Sequence, residues 1–186
     1  MMSEKKINNH IKSQASVKQL CIYLVLFAAF IISCNSDAAP DANKAIDFQY
    51  ILYDSENTKI DFATLYDKPI ILNFWAGLCP PCRAEMPDFQ LFHEQYGSQV
   101  TVIGIDVGKY TGLGSKKDAL RLIEQLNVDY VIGGTSESNI IELYEVYGLP
   151  TTVFIDSDQN IIRTWSGAVN LEKLRDIGLS MIESSQ

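Results

Sequence analysis

Residues 69–83 read PIILNFWAGLCPPCR. The first six, 69–74, form an apolar run of strand length that suits burial on both faces of a sheet. Cys79-Pro80-Pro81-Cys82 follows almost at once. Residues 83–96 then take up helical spacing, with Met86, Phe89, Phe92 and Tyr96 on one face and Gly97 placed for a left-handed cap. A C-x-x-C between a strand and a helix signals redox chemistry; alone it also fits half of a zinc site. A structural zinc needs about four Cys or His ligands. The chain has no second C-x-x-C, and His93 is the only histidine beyond residue 34, so zinc is disfavoured and no metal is expected.

The local physics assigns the two sulfurs different roles. Proline is tolerated in a first helical turn, where its missing N–H has no partner to lose. Pro80 and Pro81 therefore start the helix just after Cys79. The Cys79 sulfur lies off the helix N-terminus, where the dipole and the remaining Cys82 N–H stabilise a thiolate. Arg83 adds positive charge. Cys79 is expected to be the exposed nucleophile and Cys82, one turn inside, the resolving thiol. Pro80, Pro81 and Arg83 are expected to tune the couple.

Outward from this stretch the pattern is α/β. Residues 48–53 and 59–62 read as a hairpin, turning at Ser55-Glu56-Asn57. Residues 100–107 (VTVIGIDV) form a second buried strand. Ser115 caps a helix through Leu126, with Leu120, Ile123 and Leu126 on one side. Residues 130–133 are a short strand and 140–147 a helix ending at Gly148. Strands 151–156 and 161–165 flank the turn 157–160, and a last helix runs from Leu171 to about Ile182. Residues 108–117 (GKYTGLGSKK) are glycine-rich but lack the G-K-[ST] ending of a phosphate loop, and read as a flexible connection.

With 186 residues, 47% of them hydrophobic, the chain is one domain plus a remainder, and neither disordered nor polytopic. Residues 1–34 hold four lysines and one glutamate, which leaves 11 basic and 22 acidic residues beyond them, net −11. Such a domain is a poor nucleic-acid binder. The remainder lies at the amino end, where a polar basic stretch precedes the apolar run 20–32 (LCIYLVLFAAFII). As a helix that run reaches about 20 Å, short of a ~30 Å hydrocarbon core, so it reads as an export signal. Ile31-Ile32-Ser33-Cys34 resembles a bacterial lipobox, with Cys34 as the lipidated first mature residue. An uncleaved anchor and a plain signal are the alternatives, and all three place the rest outside the cytoplasmic membrane. The expected organisation is 1–33 signal or anchor, 34–45 tether and 46–186 domain.

The segment from Asn73 through Cys79-Pro80-Pro81-Cys82 to Glu85 and Pro87 resembles the active-site segment of thioredoxin-like proteins. It is most similar to the exported TlpA/ResA-type thiol-disulfide oxidoreductases. Gly148-Leu149-Pro150-Thr151-Thr152 resembles that family's cis-proline loop, and residues 108–134 its extra helix and strand. The resemblance covers about residues 46–186. It implies a thioredoxin-like fold: a central mixed sheet flanked by helices, with an N-terminal β-hairpin and a helix-strand insertion. It implies that Pro150 is cis and faces the thiols, that the Leu149 backbone pairs with an extended substrate, and that Glu85 handles protons near the sulfurs. Trp75 is expected either to line the site or to fill the core. Asn73 stands where thioredoxins carry a buried aspartate and cannot titrate. Leu78 stands where the family usually has tryptophan, and Pro80 where glycine or glutamate is commoner.

The function this implies is reduction of disulfides in exported proteins, apocytochrome c for example, with recharging by a DsbD/CcdA-like membrane donor and no cofactor. The alternatives are an oxidase or isomerase on the same fold, a Cu(I)-binding dithiol and a peroxidase, for which no convincing motif is present.

Overall fold

The computed structural model describes residues 43–184. The signal or anchor, Cys34 and most of the tether lie outside the described residues.

The run that begins at Pro69 becomes β3 (Ile70–Trp75), buried at every position. Side chains alternate across a strand. Ile71 and Trp75 therefore enter one apolar cluster and Ile70, Leu72 and Phe74 the other. Six further strands extend from β3: β1 (Gln49–Leu52), β2 (Lys59–Asp61), β4 (Thr101–Asp106), β5 (Val131–Thr135), β6 (Thr151–Ile155) and β7 (Ile161–Ser166). They form one sheet in the order β2-β1-β5-β4-β3-β6-β7. β3, β4 and β5 run parallel, while β1, β2, β6 and β7 pair antiparallel. The α/β class and the mixed sheet are as expected from the sequence, and the insertion supplies β5 between β1 and β4.

Three helices cover one face: α1 (Pro80–Tyr96), α3 (Lys116–Leu126) and α5 (Leu171–Ser184). Met86, Phe89 and Phe92 of α1 meet Leu174, Ile177 and Met181 of α5 in the cluster that also holds both cysteines. Each such side chain contributes about 1.5–3 kcal/mol when fully buried. The opposite face is closed by Phe48, Phe62 and Tyr144, the last next to the single turn α4 (Ile140–Leu143).

Several expectations need correction. Gly97 stays right-handed at φ −61°, its N–H donating to the His93 carbonyl. On α3 the buried positions are Ala119 and Leu122, whereas Leu120 is 40% exposed. The helix expected over 140–147 is one turn, because the Tyr144 hydroxyl is held by both backbone groups of Ile46 and Glu145 is left-handed at φ 52°. Residues 108–117 contain a helical turn, α2 (Gly108–Thr111), and Ser115 caps α3 with a reciprocal bond from Asp118. Residues 43–45, placed in the tether by the sequence, belong to the domain: Lys44 bridges Asn160, the Ala45 N–H donates to Gln159 and the Ile161 N–H to Asn43.

Candidate active site

β3 delivers the chain to the C-terminal edge of the sheet, and α1 carries it back. Between them Cys79 and Cys82 form a disulfide, with an S–S distance of 2.10 Å and a Cα–Cα distance of 5.3 Å. Cys79 is the N-cap of α1, and its sulfur accepts the Cys82 N–H at 3.3 Å. Pro80 and Pro81 occupy the first turn and are exposed. The expected geometry of sulfur and helix terminus is present. The expected exposure of Cys79 is not: it is 2% exposed and Cys82 is 0%. Both sulfurs are packed into the α1 cluster, against which Leu149 is also packed.

The loop before Cys79 is held by the insertion. The Leu78 N–H donates to the Leu113 carbonyl at 2.8 Å. A Cβ on Gly77 would lie 2.4 Å from the Ala119 nitrogen, so only glycine lets α3 approach so closely. Leu78 itself is 57% exposed beside the disulfide. The Leu149–Pro150 bond, which leads into β6 where Thr151 pairs with Phe74, is cis, and the Pro150 carbonyl accepts the Gly167 N–H at 2.9 Å.

Beneath the disulfide lies a buried carboxyl. Glu85 is 2% exposed and sits one helical turn beyond Cys82, on the same face. Its Oε1 accepts from Asn73 Nδ2 at 2.8 Å and its Oε2 from the Val169 N–H at 2.9 Å. Asn73 Nδ2 also donates to Thr152 Oγ1 at 3.1 Å, tying β3 to β6. Burial raises the Glu85 carboxyl to about 7, against the lowering effect of its two hydrogen bonds. Asn73, which cannot titrate, positions a neighbour that can.

Two other expected residues fall differently. Trp75 is fully buried in the core cluster, so in this state it offers no surface to a substrate. Arg83 is exposed and donates through Nη2 to Gln125 Oε1 at 2.7 Å, so its guanidinium is directed toward α3 rather than held on a sulfur. The sequence reading missed Thr152, the Val169 amide and the Leu78–Leu113 bond. Thr152 and the two backbone groups carry no local signal, since their partners are distant along the chain. Glu85 did carry one: with Cys82, Phe89 and Phe92 it falls on the apolar stripe of α1.

A disulfide pair capping a helix, with a buried carboxyl one turn along that helix and a cis-proline leading into the strand beside β3, on a mixed sheet with flanking helices, defines a thioredoxin-fold thiol-disulfide oxidoreductase. Residues 37–164 match the AhpC/TSA family, and the chain belongs to that family. It is 25% identical over 181 residues to the thiol-disulfide oxidoreductase ResA of Oceanobacillus iheyensis, an alignment spanning 92% of this chain and 88% of that protein. To ResA of Bacillus subtilis it is 24% identical over 128 residues, 68% of this chain and 69% of that one. The crystal structure of StoA from Bacillus subtilis has the same fold, with a TM-score of 0.59 and 21% identity over 72% of this chain and 98% of that one. The chain is thus a thiol-disulfide oxidoreductase of thioredoxin-like fold.

Proposed function

We propose that the protein works outside the cytoplasmic membrane, tethered through Cys34, and reduces disulfides in exported proteins such as apocytochrome c. The observation that carries the reading is the Cys79–Cys82 couple at the helix N-terminus with Glu85 one turn beneath it. In the dithiol form Cys79 is the thiolate, stabilised by the Cys82 N–H and the α1 dipole. It attacks one sulfur of the substrate disulfide. A mixed disulfide forms and the other substrate sulfur leaves as a thiolate, which takes up a proton. Cys82 then loses its proton and attacks the Cys79 sulfur. The internal disulfide closes and the second substrate thiol is released. Two electrons pass from the dithiol to the substrate.

Glu85 accepts the Cys82 proton in this cycle, a role supported by its position one turn along α1 and by a carboxyl raised to about 7, which exchanges protons readily at neutral pH. Leu149 and Pro150 form the edge on which an extended substrate pairs. Pro80 and Pro81 limit the amide donors around the Cys79 sulfur and so tune the potential, with Arg83 contributing only solvated charge. A DsbD/CcdA-like membrane donor returns the electrons, and no cofactor is used.

Cells lacking the protein are expected to lose covalent haem from exported c-type cytochromes, and an added thiol reductant is expected to restore it. Haem staining of membrane proteins separated by electrophoresis measures this. Unaltered haem in the deletion strain excludes apocytochrome c as the substrate.

A further inference from the structure

The domain beyond residue 34 carries net charge −11, yet four of its 11 cations lie within 13 residues of the insertion. They are Lys109, Lys116, Lys117 and Arg121. The one acid among them, Asp118, is already engaged: its carboxylate accepts both polar groups of Ser115 and Nη1 of Arg121. Lys109 and Lys116 stand on the rim of a cleft of about 260 Å³ at the C-terminal ends of β4 and β5, also lined by Tyr53, Asn57, Asp106 and Thr135. Crevices at the carboxyl ends of parallel strands are habitual ligand sites.

The charge in this cleft is arranged asymmetrically. Asp106 is 4% exposed, and both its oxygens are occupied, Oδ2 by the Tyr53 hydroxyl at 2.7 Å and Oδ1 by the Gly108 N–H at 2.9 Å. Its charge is buried at the floor of the cleft, where Lys109 partly offsets it. The ammonium groups are at the rim. Lys116 Nζ donates to Asn57 Oδ1 and lies 4.4 Å from the Tyr53 ring centroid. Lys109 Nζ lies 4.5 Å from the Tyr110 ring centroid. An entering group meets two cations and the Asn57 amide, which is a pattern for an anion.

The cleft is also coupled to the redox site. A Cβ on Gly108 would lie 3.0 Å from Asp106 Oδ1 and 3.3 Å from Ala76 Cβ, and one on Gly114 would lie 3.2 Å from Leu78 Cγ. A single loop thus forms one wall of the cleft and holds the residue before Cys79.

We propose that the Lys109–Lys116 cleft docks an acidic side chain of the substrate protein, and so selects disulfides that have Asp or Glu close by. The proposal rests on the reductase reading of Cys79 and Cys82. The domain as a whole is net acidic, so this cation pair favours one landing place for such a segment and biases which disulfide meets Cys79. The cleft has room for a carboxylate side chain and not for a folded element.

The test uses the reduced protein and synthetic peptides that share one internal disulfide but have Asp/Glu, Ser or Lys flanks. At low salt the acidic peptide should be reduced roughly tenfold faster than the neutral one, measured as kcat/KM, and the gap should narrow at about 0.5 M salt. In K109Q/K116Q the acidic-to-neutral ratio should fall close to one. In K68Q, altered just before β3 at the opposite end of the strand, the ratio should stay. Equal rates for acidic and neutral peptides in the unaltered protein overturn the proposal, as does a preference that survives K109Q/K116Q. Failure to reduce any of the peptides overturns the reductase reading itself.

Discussion

Cys79→Ser is expected to reduce disulfide exchange to the uncatalysed background, and Cys82→Ser to leave the protein as a covalent adduct with its substrate. The two outcomes follow from position on one helix. Cys79 precedes α1 and faces the helix N-terminus, with the Cys82 N–H on its sulfur at 3.3 Å. Cys82 is inside the first turn and fully buried. Serine at 79 replaces a thiolate with a hydroxyl that cannot attack sulfur at neutral pH. Serine at 82 leaves the first attack intact and removes the group that resolves it, so the mixed disulfide accumulates. Mass spectrometry of the trapped species reads the result. A mixed disulfide through Cys82 in the Cys79→Ser protein would reverse the assignment. The slight exposure of Cys79 adds a kinetic expectation: in the disulfide form, recharging requires the donor thiolate to reach a sulfur with only an edge at the surface.

Stability of the disulfide form is expected to fall as pH rises, mainly through Glu85, with Asp106, also raised by burial, adding in the same direction. The Glu85 carboxyl is raised from 4.5 to about 7 by burial. The folded protein thus holds a proton that the unfolded chain releases. The stabilisation is fully present below the unfolded value and is lost as pH climbs through the folded one. The window is therefore about 4.5 to 7, and the loss amounts to roughly 3 kcal/mol at 1.36 kcal/mol per pKa unit. Urea unfolding at pH 4.5 and pH 8, without reductant, measures it. Glu85→Gln should flatten most of the dependence. It should also cost about 1–3 kcal/mol at low pH, because a glutamine nitrogen would face one of the two donors now met by Oε1 and Oε2. Parallel pH curves for the two proteins would show that Glu85 is not the buried titrating group.

The apolar run of β3, the proline-marked helix start and the two sulfurs were legible because each is local. Strand periodicity, helix spacing and N-cap chemistry act over a few residues, and here they agree. Leu149–Pro150 was legible through resemblance alone, since its cis geometry has no local cause that the chain announces. What escaped the sequence depends on contacts between distant segments. Gly77 is required by α3, some 40 residues on, and Val169 reaches Glu85 across 84 positions. The Leu78–Leu113 bond joins two backbones and is indifferent to side-chain identity. Leu120 was misplaced because the buried stripe of α3 follows Ala119 and Leu122, which join the cluster beneath α1, while Leu120 faces outward. Trp75 turned inward because the pleat places it with Ile71 beneath α1.

The direction of electron flow is the claim on which the rest depends, and the reduction potential of the Cys79–Cys82 couple tests it most directly. Residues 35–186, equilibrated with mixtures of reduced and oxidised dithiothreitol or glutathione, report the potential through the fraction of free thiols. A value near that of thioredoxin, about −270 mV, is the result expected of a reductase fed by a membrane donor. A value near about −120 mV would mean that the protein inserts disulfides, and would contradict the assignment.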